Sequence, residues 1–404
     1  MKIIVWGINY RPEVTGIAPC NTALCEYLQR QGHEVRMVTA FPYYPAWRKR
    51  PGDRGRLYRT DLENSVPVHR CWHYVPRRAT ALKRILHELS FVLFSWLRVL
   101  SLPRADGYIV VSPPLLLGAA AWLAAGLKRA PFVFHIQDLQ PDAAVGLGML
   151  RPGLLTRLLY VLERFAYEKA RLVSGIGQAM LQAVRAKGIA EKKLVYFPNG
   201  VDLSRNLPDS GKFRAAFGFA PDDFLAVYSG NLGMKQGLQV VLDAAGRVRD
   251  PRVKIVVVGQ GAYRPVIEEH LRSHPGLPLR LLDLQPEETY GEMLVDADLS
   301  LITQQTGSGD FFLPSKLLRI LALGRPVLAC ADARGPLAEA VEDGGFGLRV
   351  AADDAGALAE TLDRLAADPS PLGGMGARGR QYVERFSSDP VHAAFLARLG
   401  REFQ

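Results

Sequence analysis

The sequence predicts an α/β protein of two domains, each a parallel sheet with helices on both faces. Three observations carry this reading. Short β-branched or apolar runs alternate with segments of helical spacing along nearly the whole chain, the pattern of covered parallel sheets. The series runs twice and breaks at residues 193–206, KLVYFPNGVDLSRN, where a strand ends in Pro-Asn-Gly and polar residues follow. A length of 404 residues accommodates two domains of ordinary size. The expected boundaries are 1–200 for the first domain, joined by a helical tail at 386–404, and 201–385 for the second.

In the first domain, residues 2–8 form the first strand, 9–19 a loop and 20–32 an amphipathic helix with Leu24, Tyr27 and Leu28 inward. Residues 34–40 make the second strand, followed by the aromatic and proline-rich loop FPYYPAWRKRPG; further strands are expected at 66–75, 107–111, 132–135 and 172–175. The second domain repeats the order, without sequence repetition, at 224–229, 254–259, 280–284, 299–303, 326–329 and 347–350. Ligands of such sheets bind beyond the carboxyl ends of strands, which directs attention to the loops there.

Two stretches imitate membrane spans. Residues 108–127 carry no charge, but Ser112-Pro113-Pro114 divides them into a buried strand, a turn and an Ala-rich helix. Residues 84–102 form a helix whose Arg84, His87, Glu88, Ser95 and Arg98 share one narrow arc, the remainder being apolar. Arg77, Arg78 and Lys83 precede it. Two readings stay open for this helix: burial in the domain core, or an apolar side dipped into a bilayer.

Hydrophobic content of 48% and charge of 22% describe a globular chain. Cys20, Cys25, Cys71 and Cys330 form no CxxC pair and read as buried thiols in a reducing compartment. The opening MKIIVWGINY meets Asn9 and Arg11 too early for a signal peptide and reads as a buried strand. Residues 1–200 hold 28 Lys+Arg against 13 Asp+Glu, a net of +15, while 201–404 hold 22 against 27, a net of −5. The first domain is therefore expected to meet an anionic partner, either nucleic acid or an anionic membrane or phosphorylated lipid. Zinc-finger and RNP-type motifs are absent.

The chemistry concentrates in a few loops. In LAVYSGNLGMKQGLQVVLDAAGRVRD, residues 225–250, a strand turns through glycines into a helix and Lys235 lies in the turn. In TGSGDFFLPSKLLRILALGRPVLAC, residues 306–330, Pro314-Ser315-Lys316 opens a short helix that Gly324 ends. Two lysines beside helix N-termini suit a diphosphate. After the first strand, Gly16 permits close backbone approach and Glu13 is placed to bind an acceptor hydroxyl or act as a base. His135, with Asp138 and Asp142 nearby, ends a strand. Asp296-Ala-Asp298 has a DxD spacing, but reads as a helix end and strand entry, not a metal site. Gly259-Gln260-Gly261 is weak as a dinucleotide signal; a nucleophile elbow, a P-loop and GxGxxG after the first strand are absent.

Taken together, GNLGMKQGL, VVGQG, PSK-x(5)-A-x-GRPV and PNGVD resemble family-4 retaining glycosyltransferases. The run NYRPEVTGIAPCNTALCEYLQRQGHEVRMVTAFPYYP resembles the subgroup that builds bacterial exopolysaccharides, and HIQDLQPDAAVGLGML with FLPSKLLRILALG resembles colanic-acid-type transferases. The resemblance implies the GT-B fold, two Rossmann-like domains facing a cleft, with a nucleotide-sugar donor held mainly by the second. The family's basic pair then falls on Asn231 and on Lys235 or Gln236; its two helix glutamates fall on Phe311 and Arg319, with Asp310 one residue from the first. The family's active-site histidine corresponds to His135, or by strict spacing to Gln137.

The expected site therefore has His135, Asp138 and Glu13 in catalytic roles, and Gly16, Asn231, Lys235, Gln236, Gly259, Gly261, Asp310, Ser315, Lys316 and Arg319 on the donor. The expected reaction is transfer of a sugar, a hexose or deoxyhexose, from a nucleotide diphosphate sugar to a lipid-linked saccharide in exopolysaccharide biosynthesis, with retention and without a metal or cofactor. The enzyme is expected on the inner face of the cytoplasmic membrane, with no nucleic-acid partner. A nucleotide-sugar 2-epimerase and a non-enzymatic nucleic-acid-binding protein are the alternatives.

Overall fold

Val, Ile, Tyr and Phe crowd the central strands, and helical crossovers between them force parallel pairing. The computed structural model describes residues 1–14, 16–76, 80–146, 150, 153–204, 207–307 and 313–403. The chain divides into two units, Met1–Gly200 with Ser388–Gln404, and Val201–Ser387.

The first unit carries β1 (Lys2–Trp6), β2 (Glu34–Ala40), β3 (Tyr58–Glu63), β4 (Val66–Cys71), β5 (Gly107–Ser112), β6 (Phe132–Ile136), β7 (Leu172–Gly175) and β8 (Leu194–Tyr196). Its helices are α1 (Ala18–Arg30), α2 (Ala81–Ser101), α3 (Leu117–Lys128), α4 (Gln140–Gly146), α5 (Leu154–Lys169) and α6 (Gln178–Ala186). The sheet order is β3-β4-β2-β1-β5-β6-β7-β8. All pairs are parallel except β3–β4. The sequence reading lacked β3, a half-exposed edge strand with weak apolar patterning. Asn64 and Ser65, at φ 48° and 66°, turn it into β4 as a two-residue hairpin.

The second unit carries β9 (Phe224–Asn231), β10 (Val253–Gln260), β11 (Leu279–Leu282), β12 (Leu299–Thr303), β13 (Val327–Cys330) and β14 (Gly347–Val350). They pair in parallel in the order β11-β10-β9-β12-β13-β14. Its helices are α7 (Lys212–Phe217), α8 (Gln239–Ala245), α9 (Arg264–Ser273), α10 (Glu287–Asp296), α11 (Ser315–Ala322), α12 (Pro336–Gly344), α13 (Ala355–Ala367) and α14 (Met375–Val383). Apolar clusters lie on both faces of this sheet.

The final helix, α15 (Ser388–Gly400), belongs to the first unit. Phe395 stacks on Phe197 with centroids 3.9 Å apart. Phe403 fills the space beside Gly107, where a Cβ would come within 2.5 Å of its ring.

Both sheets reverse direction once. From β1 the chain proceeds outward through β2, then returns to the other side at β5; from β9 it proceeds through β10 and β11, then returns at β12. The carboxyl ends of β1/β5 and of β9/β12 are therefore topological switch points, where crossovers diverge and leave a crevice for a ligand.

Candidate active site

At the second unit's switch point, three loops are locked together by glycines. Gly259 runs so close to β9 that a Cβ would lie 1.9 Å from the Gly230 carbonyl oxygen. A Cβ at Gly261 would lie 2.3 Å from that of Leu232. The Leu232 N–H donates to Gln260 at 2.9 Å, and the Tyr263 N–H donates to Leu232 at 2.8 Å. Gly259 and Gly261 thus shape the loop after β9 by letting the β10 end pack on it. Gly237, at φ 60°, closes the turn after Met234–Gln236 and touches the Gln304 backbone. The Gln305 N–H donates to the Lys235 carbonyl at 3.1 Å, and Thr303 Oγ1 donates to that of Gln236. Lys235 and Gln236 are half-buried against the end of β12, with Asn231 exposed beside them.

Lys316, the second residue of α11, is the centre of this arrangement. Its stem passes Gly230 with Cδ 3.8 Å from where a Cβ would sit, and its Nζ lies 3.7 Å from the Tyr228 ring centroid. The ammonium is covered and has no hydrogen-bond partner among the described residues. Burial lowers its pKa to about 7. A buried cation held only by an aromatic face is destabilised, and an arriving anion relieves that penalty. Ser315 is exposed at the start of α11. Arg319, one turn later, pairs with Glu287 at 3.0 Å, so it presents a neutralised pair at the position the resemblance gives to a glutamate. Asp310 and Phe311 lie outside the described residues.

Asp296 and Asp298 serve the fold. Asp296 accepts from the Gly211 and Arg214 backbone at the start of α7, while Asp298 pairs with Arg214 at 2.6 Å and accepts from Leu225 at 2.7 Å.

In the first unit, two expected catalytic residues are buried and hydrogen-bonded within the unit. Glu13 is buried; its Oε1 accepts from the Tyr43 and Tyr44 N–H groups at 2.8 Å, and its Oε2 from Asn9 Nδ2 at 2.8 Å. Burial raises its pKa against these donors. The carboxylate ties the loop after β1 to the loop after β2 and is not placed as a base. Gly16, at φ 66°, turns that loop beside Tyr44. His135 is 2% exposed within β6. Its ring nitrogens face Ser174 Oγ at 3.0 Å and Gln137 Nε2 at 2.9 Å. Phe197 packs against the ring at 4.9 Å, and burial lowers its pKa to about 3. The imidazole is thus held neutral between Ser174 and Gln137 inside the unit. Gln137 is also buried and exchanges two hydrogen bonds with Asn199, at 2.9 and 3.1 Å. Asp138 alone of the three expected catalytic groups is half-exposed, just past the carboxyl end of β6. Asp142 is bound by Lys187 at 2.5 Å.

The sequence reading passed over Glu88 as part of a polar arc. Burial raises its pKa to about 7, and Gln140 Nε2 donates to it at 3.3 Å. Nearby, Tyr43, Trp47, His73 and His87 form an aromatic cluster with centroid spacings of 4.7–5.5 Å. The loop FPYYPAW was its visible signal.

Residues 15–200 match the model of the glycosyl transferase 4-like domain, and 223–368 match glycosyl transferases group 1. The putative colanic acid biosynthesis glycosyl transferase WcaI of Escherichia coli K12 is 35% identical over 351 residues, covering 85% of this chain and 86% of the relative. The probable glycosyltransferase WbjE of Pseudomonas aeruginosa is 27% identical, covering 67% and 69%. Among solved structures, a sucrose-phosphate synthase of Thermosynechococcus elongatus superposes with a TM-score of 0.77 at 18% identity, covering 99% of this chain and 98% of that one. Anabaena HepE in complex with UDP-glucose gives 0.73 at 17%, covering 99% and 100%. The two matched domains, the identity to WcaI and the two-unit GT-B fold place the chain in the glycosyltransferase family whose glycosyl transferase 4-like domain precedes a group 1 domain.

Proposed function

We propose that the chain transfers a hexose or deoxyhexose from a nucleotide diphosphate sugar to a lipid-linked saccharide, with retention, during assembly of a bacterial exopolysaccharide. The observation that carries the donor half is Lys316, a covered ammonium at the β9/β12 switch point with no hydrogen-bond partner among the described residues. A diphosphate placed there meets Lys316, the N-terminal amides of α11 and the glycine loop that bears Lys235. These groups stabilise negative charge as it develops on the leaving diphosphate, the work a metal ion does in other transferases. We therefore expect metal-independent turnover. Asp138 is the candidate closest to acceptor chemistry.

The polysaccharide side of this reading is supported by WcaI and Staphylococcus aureus CapM, named for colanic acid and capsular polysaccharide biosynthesis. With a lipid carrier presenting the saccharide, the proposed enzyme works at the inner face of the cytoplasmic membrane. Nucleoside diphosphate release, measured with a panel of nucleotide sugars in the presence and absence of a lipid-linked saccharide extract, is the test. Release that requires acceptor supports transfer. Equal release without acceptor, or epimerised nucleotide sugar as the product, refutes it.

A further inference from the structure

Helix α2 is inside out. His87, Phe91, Ser95 and Val99 are buried, while Leu82, Leu86, Leu89, Leu93 and Leu97 point outward. At about 100° per residue the five leucines fall within roughly 80° of arc, a continuous stripe. The polar side is engaged by the unit itself: His87 Nδ1 meets the Tyr74 carbonyl at 2.6 Å, and Arg98 reaches Thr60 Oγ1 and His69 Nδ1 at 3.0 Å. Phe94 packs on Trp72 at 4.9 Å, so it is occupied on the inner side and is not part of the stripe.

The stripe does not stand alone. α3 packs against α2 and α5 against α3, and both continue the apolar surface. Trp122, Leu123 and Leu127 are exposed on α3, and Leu154, Leu158 and Val161 on α5. Exposures across the three helices run from 42% to 86%. A water-facing monomer rarely presents so large a contiguous apolar face.

Charge selects the occupant. Lys83 is exposed beside the stripe at the start of α2, and Arg157 beside Leu154 and Leu158 on α5. Glu88 faces Gln140 and Glu163 is buried on Lys187, while the exposed Glu168 is paired with Arg164, so that pair adds no net charge to the face. Two copies meeting through this face would bring basic rims together, whereas an anionic bilayer complements both the leucines and the rim. Among the described residues no helix is long and apolar enough to cross a membrane, so the face lies on the surface and does not span it.

We infer that the outer face of α2, α3 and α5 docks the protein on an anionic phospholipid bilayer. This deepens the proposed function, and for its purpose rests on the reading that a membrane lipid carries the acceptor. The leucines enter the headgroup–acyl boundary and the basic rim meets the headgroups.

The test is flotation of the full chain with phosphatidylcholine vesicles, with and without phosphatidylglycerol, lacking saccharide and nucleotide sugar. Wild type is expected to float with the anionic vesicles. Leu89→Ser/Leu93→Ser and Lys83→Glu/Arg157→Glu should each weaken binding by about tenfold or more while melting like wild type. Leu154→Ser/Leu158→Ser on α5 provides an independent pair should the α2 variant misfold. Failure of wild type to float overturns the inference, as do leucine variants that float like wild type. A lipid-free dimer that the leucine substitutions dissociate assigns the face to a second copy and also overturns it. Binding is read without turnover, so vesicle binding with no transfer refutes only the proposed function. Transfer to a water-soluble acceptor without binding refutes only the docking.

Discussion

Lys316 shows how burial shifts the titration of a single residue, which the proposed function turns to donor binding. Its lowered pKa means that the folded protein releases this proton near pH 7, whereas an unfolded lysine holds it to about 10.4. Between those values the unfolded state binds more protons, so stability attributable to this group rises with pH; below about 7 both states are protonated and the contribution is flat. A bound diphosphate reverses the preference and draws a proton back. The donor KM should therefore rise several-fold between pH 7 and 9 in wild type and stay flat in Lys316→Arg, measured as initial rates against donor concentration. His135 teaches the opposite lesson. Replacing it with Asn should lower stability by about 1–3 kcal/mol, because Ser174 and Gln137 lose a buried partner. Denaturant unfolding measures this, and the rate constant of the folded enzyme should stay within about threefold of wild type, since the ring is closed in and neutral.

At the scale of elements, loops gain their shape from glycines whose neighbours are far away in sequence. The sequence reading took Gly259-Gln260-Gly261 as a faint nucleotide signal; the structure shows it packing on the β9 loop. Gly261→Ala should push Leu232 outward, cost about 1–3 kcal/mol in unfolding experiments and raise the donor KM. The strands were legible because buried parallel strands are continuous apolar runs; β3 was not, because its exposed alternating residues carry little apolar signal. The direction of α2 was illegible for a different reason. Periodicity shows that polar and apolar sides exist, but only the packed neighbours Tyr74, Thr60 and His69 show that the polar side faces inward. Likewise His135 sat at the expected strand end and Glu13 in the expected loop, yet their partners Ser174 and the Tyr43–Tyr44 backbone come from other parts of the chain.

At the scale of the molecule, each unit has its own switch point. The second unit brings Lys316, the Lys235 turn and the α11 amides to the β9/β12 switch point, where the proposed function puts the donor. The first offers Asp138, Glu88 and an aromatic cluster near its own strand ends. Since lysines and amides supply the positive charge in this account, turnover should be unchanged in chelator and unaffected by added magnesium or manganese. Loss of activity in chelator, restored by either ion, would contradict that assignment. The central claim, that the β9/β12 crevice is a diphosphate site organised by Lys316, is tested most directly by thermal unfolding with UDP, GDP, ADP and dTDP. At about a hundred times Kd, one of them should raise the melting temperature of wild type by several degrees, and Lys316→Ala should lose most of that rise. No response to any nucleotide in wild type, or an equal rise in Lys316→Ala, would contradict the account.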